Sequence, residues 1–113
     1  MVAGLLSAAI ERDGEVRWLA SGRSMAGSIR HGTTLCLVAP SRRPLHRGDV
    51  VAAVLPDGLL VLHRVRAVRS GRLVLRGDAC RKDDPPVDAS SVIGVVEPRP
   101  SRRLRSLIRR YMP

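Results

Sequence analysis

Ser24 closes the stretch Ser21-Gly22-Arg23-Ser24 after an apolar run, and His63 sits in Leu62-His63-Arg64-Val65. A serine hydroxyl becomes a nucleophile only beside a base that takes its proton, with donors that hold the charge developing on the attacked oxygen. Histidine suits the base, because an imidazole of ordinary pKa, about 6.5, is largely neutral at pH 7. Gly22 lacks a Cβ and lets a substrate backbone come close. The backbone N–H of Ser24 would serve as one oxyanion donor, with a second from the neighbouring loop near Gly22. Each residue also has a plainer use: a serine after a strand can simply make a turn, and a histidine on an apolar strand face can simply fill a core. Cys36 and Cys80 have no metal-ligand neighbours at zinc spacing. They read as reduced thiols, and neither a metal nor a cofactor is expected.

Positioning these groups falls to short elements. Leu5, Leu6, Ala9 and Ile10 recur at helical spacing and the pattern stops at Asp13-Gly14, which predicts a short amphipathic helix over residues 1–13. From Glu15 the chain changes to β-branched or Leu-rich runs cut by Gly, Pro and Asp. Strands are predicted at 15–20, 33–38, 49–55, 59–68, 72–76 and 91–96. Pro56-Asp57-Gly58 and Ser70-Gly71 are turn signals that make hairpins of the runs beside them. Along 59–68 the side carrying Leu60 and Leu62 turns polar at Arg64 and Arg66, while His63 falls between Val61 and Val65 on the apolar side. Asp83-Asp84-Pro85-Pro86 must be a loop, since proline lacks a donor and restricts the residue before it. The fold class is therefore mostly β, one small domain over 14–99 with short helices at either end.

The second of those helices is expected over 100–113, where Leu104, Leu107, Ile108 and Tyr111 form a stripe among arginines. It would either pack on the domain or lie on an anionic membrane surface, where each arginine is worth about 1 kcal/mol. The chain's 113 residues allow one modest core, and its formal charge of +10 comes almost wholly from arginine. That charge suits an anionic partner, or reflects a general preference for arginine. Trp18 and Tyr111 are the only aromatics, too few for a base-stacking platform, so a specific nucleic-acid partner is not expected. The apolar stretch from Val2 to Ile10 is too short to span a bilayer and lacks a basic leader. A cytoplasmic chain is expected, free or peripheral to the inner membrane face.

Taken together and in order, four segments resemble a known family. Gly22-Arg23-Ser24-Met25 resembles the Gly-x-Ser-Met nucleophile box of signal peptidases and LexA-like self-cleaving repressors. Arg47-Gly48-Asp49-Val50-Val51 is similar to the family's Gly-Asp-x-Val strand start, and Leu62-His63-Arg64-Val65 to its base-bearing box. Gly77-Asp78, Asp83-Asp84 and Ile93-Gly94-Val95 resemble its distal loop and closing strand. The likeness spans residues 20 to 96. With His63 where most bacterial members have lysine, it is to the Ser-His subtype. The resemblance implies a signal-peptidase-like β domain and a serine endopeptidase acting on a peptide or protein substrate through an acyl-enzyme. It makes Ser24 the nucleophile and His63 the base. It carries over Asp84 as the residue that orients His63, Asp78 as a loop-stabilising acid, and Met25 as a pocket-lining residue beside Gly22, with a buried filler as the other reading of Met25. Gly27 stands where many members have proline, and Gly32-Thr33 where they have Gly-Asp. Those departures reshape the loop after the nucleophile and suggest, as the alternative function, a weakly active or inactive peptide-binding module.

Overall fold

The computed structural model describes residues 2–42 and 44–97; the helix expected over 100–113 lies outside them. A helix α1 (Val2–Asp13) is followed by strands β1 (Glu15–Leu19), β2 (Thr34–Val38), β3 (Val50–Val54), β4 (Leu60–Arg69), β5 (Arg72–Arg76), β6 (Val87–Asp88) and β7 (Val92–Val96). The strands form one antiparallel sheet in the order β1-β2-β7-β3-β4-β5-β6. The chain is thus mostly β. Beyond the predicted strands it adds β6, two residues long after Pro85-Pro86, whose Val87 pairs with Leu73 and is buried.

α1 ends where Gly14 turns left-handed at φ 79° and its N–H reaches the Ile10 carbonyl at 2.6 Å, the glycine helix stop expected at that dipeptide. The helix meets the sheet through Leu6 and Ile10, one i, i+4 row, packed with Leu37 and Ala52. Leu5, expected on the buried stripe, is instead 75% exposed, since a single row of contacts cannot reach a residue about 100° round the helix. Gly94 makes room for this packing: a Cβ there would stand 3.0 Å from Ile10 Cδ1 and 3.2 Å from Leu37 Cβ.

The opposite face carries the larger cluster, which includes Val51, Val65, Leu73, Leu75 and Val95. Among the described residues no helix packs on it, and these five are buried to 0–1% exposure, as in a sheet that coils over its own apolar face. Two irregularities supply the bend. The β3–β7 register shifts between Ala52 and Ala53, and the β4–β5 register shifts between Val65 and Ala67. The first shift lets Val92 and Val95, three apart, share this face. The β4–β5 hairpin closes through Ser70 and Gly71 at φ 49° and 77°, the doubly positive turn that matches strand twist.

The registers also set where the loops go. Val50 pairs with Arg64, Arg64 with Arg76, Val51 with Val95, and Leu37 with Val96. The loops 20–33 and 44–49 therefore leave the sheet beyond Val96 and Val50, while the 77–86 loop leaves β5 in the opposite direction from the same level, opposite Arg64, so the three meet beside the middle of β4.

Candidate active site

His63 stands on β4 opposite Val51, flanked by Val61 and Val65 on the face away from α1. It is 6% exposed, a buried polar residue among apolar neighbours. Such a group must find a partner, and it does: its Nδ1 lies 2.5 Å from Asp84 Oδ2, with that carboxylate side chain only 17% exposed. An ionised carboxylate is acceptor-only, so Nδ1 is the nitrogen that carries the hydrogen in this contact, and in the neutral imidazole Nε2 is the one that keeps a lone pair. Asp84 is held for this contact by its own backbone, whose N–H donates to the Leu75 carbonyl at 2.7 Å. The loop beyond β5 thus delivers a carboxylate to the second nitrogen of the imidazole.

Asp78, at the start of the same loop, has a different partner. Arg64 Nε and Nη2 donate to its two oxygens at 2.8 to 3.1 Å, and Arg64 Nη1 donates to the Gly48 carbonyl at 2.7 Å. The Arg64 hydrogen bonds hold the Asp78 carboxyl below the ordinary carboxylate range, aided by a hydrogen bond from Ser28 and by the nearby His63 imidazole, against partial burial. Arg64 is correspondingly pushed upward, first by its bond to Asp78. One arginine thus ties the 77–84 loop to the 44–49 loop.

The sign of that shift makes a stability prediction. A carboxylate whose folded-state pKa is depressed stabilises the fold above its unfolded value, about 3.9, and loses that contribution as pH falls through the lower folded value. Asp78→Asn should therefore cost about 1 kcal/mol at pH 7, as expected for a bidentate, partly exposed pair. The gap to wild type in urea unfolding should close below about pH 4. A gap that does not change with pH would show that the ion pair is not its source.

Ser24 is half-buried in a compact turn made by three bonds: Ala26 N–H to the Arg23 carbonyl, and Ser28 and Ile29 N–H to the Met25 carbonyl, at 2.8 to 3.0 Å. Gly27 lies in this turn at φ 95°, which a proline could not adopt. The loop at this position is thus built for glycine. The loop's neck is pinned by Ala20 N–H to the Thr33 carbonyl and Gly32 N–H to the Ala20 carbonyl, each at 2.8 Å.

The turn docks on the loop that carries Asp84. Ala79 N–H donates to the Ser24 carbonyl at 2.8 Å and Asp78 N–H to Met25 Sδ at 3.2 Å. A Cβ on Gly77 would fall 2.5 Å from the Ser24 carbonyl oxygen and 2.9 Å from Ser24 Cβ, so only glycine permits this approach. Met25 is 4% exposed; it fills the gap between turn and loop rather than lining an open pocket. Gly22 does not offer an oxyanion donor, because its N–H is taken by His31 Nδ1 at 3.0 Å. Among the described residues the N–H groups of Ser24 and Met25 donate to no acceptor.

The structure therefore docks Ser24 and Met25 on the 77–84 loop at Asp78 and Ala79, and the same loop delivers Asp84 to His63. The hydrogen bonds of the described residues include none between the Ser24 hydroxyl and His63. Sequence reasoning missed three contributors: Arg64, Ser28 and His31. Arg64, next to His63 in the middle of β4, had the signal of a cation on the same strand as the base, with Gly48-Asp49 and Gly77-Asp78 available as acidic partners. His31 had none, since its role depends on the loop's fold. A cleft of about 360 Å³ opens on the Arg64 side, lined by Ser28, Ile29, Gly48, Asp49, Val50, Arg64 and Val96. No described helix is long and apolar enough to cross a membrane. No family model, no curated protein and no solved structure matches this chain.

Proposed function

We propose that the chain is a serine endopeptidase of the signal-peptidase-like type, with Ser24 as nucleophile, His63 as general base and Asp84 as the residue that orients it. The observation that carries the proposal is the buried His63–Asp84 pair at 2.5 Å, held by the same loop on which the Ser24 turn is docked. A buried imidazole with one nitrogen fixed by a carboxylate is a base with a defined tautomer, and its free nitrogen is the one that takes a proton.

In this reading the Ser24 oxygen attacks the peptide carbonyl carbon while its proton passes to His63 Nε2. The oxygen of the tetrahedral adduct is met by the unengaged Ser24 N–H. Collapse breaks the C–N bond, and the leaving amine takes the proton from His63. Water then gives a proton to His63 and attacks the ester, and Ser24 recovers its hydrogen as the acid leaves. Contacts between nucleophile and base in unliganded sites are commonly long and tighten on the substrate complex. Asp78 acts by holding the loop through Arg64.

The unbonded Ser24 hydroxyl favours a second reading, a peptide-binding module without turnover. Incubation with a mixture of denatured proteins of known sequence separates the two. New termini produced by wild type and absent with Ser24→Ala support the peptidase; peptides retained equally by both proteins, with no new termini, support the binding module and sink the first reading.

A further inference from the structure

We infer that the site selects peptides with acidic residues flanking the cleaved bond, an inference that rests on the peptidase reading for the location of the bond. The ground is the charge carried by the loops that converge on the site. Arg23 immediately precedes Ser24, Arg30 ends the nucleophile turn, and Arg81 and Lys82 lie in the loop between Asp78 and Asp84; all four are exposed. None of the four forms an ion pair with a described carboxylate.

The acids of the same loop are already committed. Asp78 faces Arg64, Asp84 faces His63, and Asp83 lies 3.7 Å from Arg76 and 3.9 Å from Arg66. Exposed arginines elsewhere, Arg17, Arg42 and Arg69, also form no ion pair with a described carboxylate, so what distinguishes these four is their place on the site's own loops. Clustered like charges at a site mouth repel one another, a cost that an acidic ligand relieves, and they raise its local concentration and its on-rate. Attraction of this kind acts over about 10 Å at 0.1 M salt, which covers a few residues on either side of a bound peptide's scissile bond.

Peptide binding and cleavage test this separately. Fluorescein-labelled decapeptides of one sequence, with flanking Glu or with Gln in its place, would be titrated against Ser24→Ala protein. Cleavage of the same peptides would be followed with wild type and with the triple variant Arg23→Gln, Arg81→Gln, Lys82→Gln. The Glu peptide should bind and be cut about tenfold better at low ionic strength. The advantage should shrink at 0.5 M salt and in the triple variant, while the Gln peptide is handled alike by both proteins. Equal handling of Glu and Gln peptides overturns the inference. So does binding to vesicles of anionic lipid with no preference for Glu peptides, which would assign the charge to a membrane surface. If the Glu peptide binds better but is never cut, the peptidase reading fails and the charge inference stands. If both peptides are cut equally, the reverse holds.

Discussion

Replacing His63 by Ala should lower the rate of acyl transfer to Ser24 by about 10⁴- to 10⁶-fold, because nucleophile and base act as a unit and loss of either removes most of the effect. Asp84→Asn should cost about 10³- to 10⁴-fold by a different route. An amide placed 2.5 Å from Nδ1 can present its N–H to the imidazole, which then carries its hydrogen on Nε2 and can no longer accept from Ser24. The stability effects should differ from the kinetic ones. His63→Ala strands the Asp84 carboxylate, 17% exposed, at a cost of about 1–3 kcal/mol. Asp84→Asn keeps a hydrogen-bonded partner and should unfold near wild type. Rates that survive Asp84→Asn with the fold intact would remove Asp84 from the mechanism.

The second large effect is expected at a residue with no side chain. Gly77→Ala would place a methyl group 2.5 Å from the Ser24 carbonyl oxygen and 2.8 Å from Cys80 Sγ. The cysteine can rotate away, but the carbonyl cannot, since it accepts from Ala79 N–H. The turn or the loop must move. Overpacking of this kind costs about 1–3 kcal/mol, and displacement of a nucleophile by about 1 Å costs about 10²-fold in rate. Gly27→Ala is the control. No atom lies within 4 Å of a Cβ there, so its penalty comes from φ 95° and should appear in stability more than in rate. Equal activity of Gly77→Ala and wild type would show that the docking of turn on loop does not position Ser24.

Much of the fold was legible because its strands are short, amphipathic or apolar, and cut by strong turn residues. The hairpin through Pro56-Asp57-Gly58 and the one through Ser70-Gly71 both form where their turn chemistry places them. What was not legible depends on register. The shifts at Ala52/Ala53 and at Val65/Ala67 leave no local mark, yet they bend the sheet and decide which side chains share a face. β6 was hidden by two prolines and is only two residues long. In the site, residue types pointed to Ser24 and His63, and the resemblance added Asp78 and Asp84. Why the two acids take different partners follows from the path of the 77–84 loop, which no spacing rule fixes. Met25 shows the same limit: its type suits either a pocket or a filler, and only its contact with Asp78 N–H distinguishes them here.

The central claim is that Ser24 forms a covalent bond to an acyl group with His63 as its base. The direct measurement is to treat the protein with an activated peptidyl ester, quench in acid, and locate the added acyl mass by peptide mapping. The account predicts that mass on the peptide containing Ser24 in wild type, none there in Ser24→Ala, and accumulation slowed by orders of magnitude in His63→Ala. Acylation confined to other residues, or unchanged at Ser24 when His63 is removed from a folded protein, would contradict it.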